Sequence, residues 1–163
     1  MGYIGTPATR GNRGLRARVR RTRMESLDLS KTHPRSARAT VDGIVFLPRT
    51  IDKVRATLPG GELGEYRMAG FSEMMLERFG IAVDALVPLV GVATNDDEIA
   101  AAVRRDAAPG SIDAWNDFAT NRLLYNGDRA EAIADHPWLA DHPEITHTLD
   151  FVDADDRRGF PNA

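Results

Sequence analysis

The sequence predicts a mainly α-helical protein, one compact single-domain bundle of about five to seven short helices behind an irregular N-terminal segment. Three observations predict it. Apolar residues recur at steps of three and four in successive short segments, the period of a helix with one buried face. Those segments are punctuated by residues that start helices (Asn95, Ser111, Asp128) and residues that stop them (Pro59-Gly60-Gly61, Gly80, Gly127). The length of 163 residues and the 42% apolar content suit a single core.

Gly43–Leu58 is the most informative stretch. Ile44, Leu47, Ile51, Val54 and Leu58 fall on one helical face. A start near Leu47 puts Pro48 in the first turn, where its missing N–H is harmless. A start near Asp42 puts Pro48 inside the helix and bends it. At about 100° per residue, Arg49 and Lys53 project opposite Ile51. Asp52 lies on the flank, within reach of Arg49 or Arg55 at a spacing of three. The plain expectation is a solvated face carrying helix ion pairs. The sharper one is an anion site of Arg49, Lys53 and Arg35. Val45 and Phe46 share the polar side of the same wheel, which would cover Arg49 and make it border a pocket. Whether Ala39–Phe46 forms a short strand is open at this point.

The remaining elements follow in order. Met1–Arg23 has seven arginines and no acid, without apolar periodicity, and is expected to be a disordered basic tail. It reads as a nucleic-acid or membrane tail, as a targeting segment, or as sequence upstream of a true start at Met24. From Met24 onward 14 basic residues face 24 acidic ones, a net charge of −10, and an acidic body is a poor nucleic-acid partner. Glu25–Asp42 is an extended lead-in in which Pro34 disfavours helix before it. Gly60–Gly70 is a loop rich in glycine, with Glu65 and Tyr66 able to offer a carboxylate and a phenol. Ser72–Gly80 is a short helix with Ser72 as N-cap. Asp84–Val92 is a second, capped by Asp84 and interrupted by Pro88. Asn95 and Glu98 form a capping box for Asp96–Ala107. Ser111 caps Ile112–Tyr125, whose inner face holds Trp115; Asn116 borders that face, and Arg122 falls inside it and is expected to pair with Glu65 or Asp52. Asp128 caps Arg129–Asp135, and Leu149–Arg158 closes the chain as a last helix.

The segment from Leu27 to Tyr66 carries Pro34-Arg35-Ser36, Gly43, Ile51-Asp52-Lys53-Val54-Arg55-Ala56 and Gly64-Glu65-Tyr66. In these motifs the chain resembles a bacterial family of small domains, domain-of-unknown-function family 5069, over roughly residues 27–160. The resemblance implies one small domain. It implies no activity and no catalytic residues.

With no cysteine, disulfides, thiolate metal sites and cysteine nucleophiles are excluded. No apolar run reaches the ~18 residues of a membrane span. His136, His142 and His147 match no zinc spacing, and Asp153-x-Asp155 fails as a calcium loop at its next ligand position. No metal or cofactor is expected, and the protein is expected in the cytoplasm. The first functional expectation is a non-catalytic module for a small anionic ligand or a protein partner. Its residues would be Arg35, Arg49, Asp52, Lys53, Arg55, Glu65 and Tyr66, with Trp115, Asn116 and Arg122 beyond. One alternative is a small acid–base enzyme with Asp52 or Glu65 as base and Tyr66 or Lys53 as acid. Another is nucleic-acid binding through the basic tail.

Overall fold

The computed structural model describes residues 22–161. All but the last two residues of the expected basic tail lie outside them. Among the described residues the protein is mainly helical, with one two-stranded sheet. Strands β1 (Thr40–Val41) and β2 (Ile44–Val45) form an antiparallel hairpin, followed by α1 (Leu47–Thr57), α2 (Phe71–Phe79), α3 (Val83–Val92), α4 (Asp96–Asp106), α5 (Ser111–Asn121), α6 (Arg129–Asp135) and α7 (Thr148–Gly159). Short 3-10 turns precede and follow α6.

The hairpin supplies the short strand left open at Ala39–Phe46 and decides between the two helix starts in Gly43–Leu58. Asp42 and Gly43 both take positive φ, 47° and 70°, between the paired residues Val41 and Ile44. Two left-handed residues make the turn whose twist matches paired strands, and Asp-Gly suits it. The helix therefore begins at Leu47, and Pro48 sits in its first turn. Phe46, the N-cap, holds a left-handed φ of 71°, an unusual conformation for a bulky residue. Burial and neighbouring contacts hold it there. Phe46 is 2% exposed, and its N–H donates to the Ala39 carbonyl.

Helix α5 clamps the hairpin from outside. Trp115 Nε1 donates to the Val45 carbonyl at 2.9 Å. Asn116 accepts from Val45 N–H at 3.0 Å and donates to the Gly43 carbonyl at 2.7 Å. The polar groups that the short strands leave unpaired are thus satisfied by side chains.

Helix α1 runs through the main core, packed against α3 and α4. Every residue from Leu47 to Val54 is buried, the charged ones included. This overturns the solvated-face expectation for Arg49 and Lys53. A smaller apolar cluster of Leu124, Ala132, Leu139, Ile145 and Ala154 lies at the other end of the chain.

Several boundaries shift for local reasons. Ser72 is not the N-cap of α2; Gly70 is, and Ser72 is fully buried in the first turn. Ala82, not Asp84, precedes α3. Gly110 with φ 75° opens α5 in place of Ser111, whose hydroxyl turns back to the Ala108 carbonyl. Helix α5 stops at Asn121 rather than Tyr125, because Leu123 bridges to His147 and Leu124 N–H donates to the Thr146 carbonyl. The capping box of α4 forms with a small change. Asn95 accepts from Glu98 N–H at 3.0 Å, while Glu98 reaches back to Thr94 N–H at 3.0 Å. Asp128 caps α6 by accepting from Glu131 N–H.

Helix α7 then returns to the start of the domain. Asp150, Asp153 and Asp156 recur every third residue and meet the basic lead-in one after another. Asp150 pairs with Arg38, Asp153 accepts from Ala37 N–H and Ser36 Oγ, and Asp156 pairs with Arg49 of α1. This ladder fixes α7 beside α1.

Candidate functional site

A cavity of about 740 Å³ lies where α1, α2, α7 and the Gly64–Tyr66 loop converge. Phe46, Phe71, Phe151 and Phe160 supply apolar wall; Arg49, Lys53, Tyr66 and Asp156 are its covered polar groups, and the exposed carboxylates Glu65 and Asp155 stand at its rim. A mostly apolar concavity with a few convergent polar groups is the usual form of a small-molecule site.

The close approach of the loop rests on Gly64. It takes φ 61°, and a Cβ there would meet the Leu29 carbonyl oxygen at 2.8 Å. Glycine is therefore required where the loop turns over the lead-in. The next two residues project Glu65 and Tyr66 at the cavity. Tyr66 is half-buried, stacks on Phe160 and donates its phenol proton to Asp156 at 2.9 Å. Burial, then the Asp156 carboxylate, pushes the phenol's pKa well above the ordinary range. Tyr66 thus stays protonated as a donor. Glu65 is exposed at the rim.

Arg49 is 3% exposed. Its Nη1 and Nη2 donate to Asp156 at 2.5 and 3.2 Å, and Nη1 also reaches the Arg35 carbonyl at 3.2 Å. Its Nε is buried and has no acceptor among the described residues.

Lys53, one turn further along α1, is 7% exposed. Its ammonium has one hydrogen-bond partner among the described residues, the Ser72 hydroxyl, at a long 3.4 Å. It forms no ion pair there. Thr50 donates to the same Ser72 oxygen at 3.2 Å. The Lys53 ammonium also lies 5.8 Å from the centre of the Phe46 ring, close enough for a cation–π attraction. Desolvation, reinforced by the Arg49 charge and opposed by Asp156, lowers the Lys53 pKa from 10.5 to about 8.

The other candidates lie elsewhere. Asp52 is on a different side of α1 and is fully engaged. It accepts from Arg35 N–H at 2.9 Å, from Arg35 Nε at 2.8 Å and from Arg35 Nη2 at 2.8 Å, with Arg55 at 3.6 Å. Arg35 also pairs with Asp96 at the start of α4. Arg35, Asp52 and Arg55 therefore join the lead-in, α1 and α4, away from the cavity lining. Trp115 and Asn116 hold the hairpin. Arg122 does not pair with Glu65 or Asp52; its guanidinium lies 5.2 Å from the Phe118 ring centre, beyond the end of α5.

Four of the ten sequence candidates thus share one cavity: Arg49, Lys53, Glu65 and Tyr66. Sequence reasoning missed Asp156, Ser72 and Phe160. The three-residue spacing of Asp150, Asp153 and Asp156 was the available signal for the first. Ser72 looked like a helix cap, and Phe160 lies beyond the last periodic segment.

Fold and site define a small helical domain with a partly covered cavity lined by both cations and carboxylates. The family profile named Domain of unknown function (DUF5069) matches residues 31–158, and the chain belongs to that family. None of the curated proteins compared with the chain matches it. Among the described residues no helix is long and apolar enough to cross a membrane.

Proposed function

We propose that this domain binds a small organic anion in the cavity, with Lys53 as its principal cationic partner. One observation carries the reading: a lysine 7% exposed that has, among the described residues, no ion pair and a single long hydrogen bond to a hydroxyl. Taking an ammonium out of water without a counter-charge is costly, and folded proteins avoid it unless something compensates. A ligand carboxylate or phosphate provides that compensation. Arg49 puts a second positive charge on the same cavity, and Phe46 and Phe71 suit an apolar ligand body. Asp156 occupies the outer nitrogens of Arg49, so the arginine is held in position rather than left to swing.

The acid–base alternative loses its first candidate, since the Asp52 oxygens are spent on Arg35. The tail-based nucleic-acid reading concerns residues outside the described structure.

A thermal-shift series at pH 6.5, where Lys53 is charged, tests the proposal with short mono- and dicarboxylates and inorganic phosphate. A ligand present at ~100 times its dissociation constant adds about 2.7 kcal/mol of stability. The expected result is a shift with at least one carboxylate, kept in Lys31→Met and lost in Lys53→Met. A shift that survives Lys53→Met, or none at millimolar concentrations, contradicts the reading.

A further inference from the structure

The chain uses arginine almost wherever it needs a cation. It holds 19 arginines and two lysines, Lys31 and Lys53. Lys31 is on the surface and pairs with Asp28. Lys53 is buried on α1, four residues from Arg49 and two from Ile51. Arginine would supply a fixed positive charge at this position, with more donors and no possibility of losing its proton. What lysine alone supplies is a primary amine that can shed a proton and act as a nucleophile.

The surroundings of Lys53 fit that role. No carboxylate pairs with it among the described residues, so no ion pair locks it as an ammonium, and the Asp156 charge that favours the ammonium is weaker than desolvation and Arg49. The neighbouring Arg49 charge and the apolar wall of Phe46 and Phe71 favour the neutral amine, as a second cation and desolvation do in amine-catalysed carbonyl chemistry. The pKa near 8 agrees with this geometry. Arg49 lines the same cavity one helical turn away, so its charge lies on the side where the carboxylate of an oxo acid would sit.

We propose that Lys53 condenses with the carbonyl group of a small oxo acid, forming an imine while Arg49 holds the acid's carboxylate. The ammonium first gives a proton to solvent. The amine lone pair then attacks the carbonyl carbon, a C–N bond forms, and the carbonyl oxygen takes up a proton. The resulting hydroxyl leaves as water and an iminium remains. One ammonium and one carbonyl compound become one iminium and one water, so charge is conserved and no oxidant or reductant takes part. The inference rests on the cavity being an anion site, and adds covalent chemistry to it.

The test incubates the full chain with glyoxylate or pyruvate and sodium cyanoborohydride at pH 7.5, followed by intact mass and peptide mapping. Propionate, which has the carboxylate and no carbonyl, is the binding control in a thermal-shift assay. The expected result is one reduced adduct on Lys53, formed at least ~10-fold faster than any adduct on Lys31, as the difference in neutral amine fraction implies. Lys31→Arg retains it, Lys53→Met loses it, and propionate slows it. Adducts confined to Lys31 or the N-terminal amine, or formed equally in Lys53→Met, overturn the inference. If propionate and pyruvate bind but no adduct forms, the imine falls and the anion site stands. If neither binds and no adduct forms on Lys53, both fall.

Discussion

Asp52 and Lys53 are adjacent on α1, and both are buried, yet their surroundings are opposite. Asp52 receives three hydrogen bonds from Arg35 and a further contact from Arg55. Lys53 has one long bond to a hydroxyl and no ion pair among the described residues. The helix turns one charged residue toward a closed network and the next toward a cavity. The first is what stability requires, because a buried charge needs its partners. The second is what a ligand site requires, because a group already satisfied has little to offer a ligand. Arg49 lies between the two cases. Its outer nitrogens are paired with Asp156 and its Nε is not.

Substitutions break this comparison in predictable ways. The largest effect is expected at the closed network. Asp52→Ala leaves Arg35 Nε and the Arg35 backbone N–H without an acceptor and costs about 3 kcal/mol, read from urea denaturation. Because the Arg35 side chain is 40% exposed, water repays part of the loss, which keeps the figure from rising further.

At Lys53 the sign reverses. Lys53→Met keeps the stem and removes the unpaired charge, so the same measurement at pH 7 shows stabilisation of about 2 kcal/mol. A structural lysine would give a loss instead. Tyr66→Phe removes one hydrogen bond to Asp156 and costs about 1 kcal/mol. It also removes one of the donors that hold Asp156 at the cavity, which weakens anion binding measured by calorimetry. The smallest effect is expected at Arg122, which only lies over Phe118; Arg122→Ala changes stability by about 0.5 kcal/mol or less and leaves ligand binding unchanged.

The same comparison shows how much could be read from the sequence. Helical periodicity and capping residues located the helices, since both are local: Asn95 with Glu98 and Asp128 with Glu131 sit where their patterns placed them. The hairpin stayed open in the sequence because Ile44 fits the apolar face of a helical wheel as well as it fits a strand. The wheel put Arg49 and Lys53 opposite Ile51 but could not say what covered them. The hint lay in Val45 and Phe46 on the same side. The covering of Arg49 comes from Asp156 of α7, 107 residues away, and Lys53 meets Ser72 of α2 and the Phe46 ring. Asp52 was expected to pair within its own helix, and it pairs mainly with Arg35, seventeen residues before it. Long-range choices of partner decide which charge becomes structural and which becomes available, and helical spacing carries no information about them.

The most direct test of the central claim measures unfolding free energy against pH for the wild type and Lys53→Met, without ligand. In the unfolded chain Lys53 holds its proton up to the ordinary value of 10.5; in the native protein it releases it above about 8. Between those values the unfolded state binds more protons, so wild-type stability rises with pH, by up to about 1.4 kcal/mol per pH unit. The Arg49 and Asp156 charges that act on Lys53 are present in both proteins, so the difference between the curves isolates Lys53. The account predicts that Lys53→Met is the more stable at pH 7 and that the gap closes between pH 8 and 10.5. Parallel curves, or a less stable Lys53→Met at pH 7, contradict a buried and unpaired Lys53.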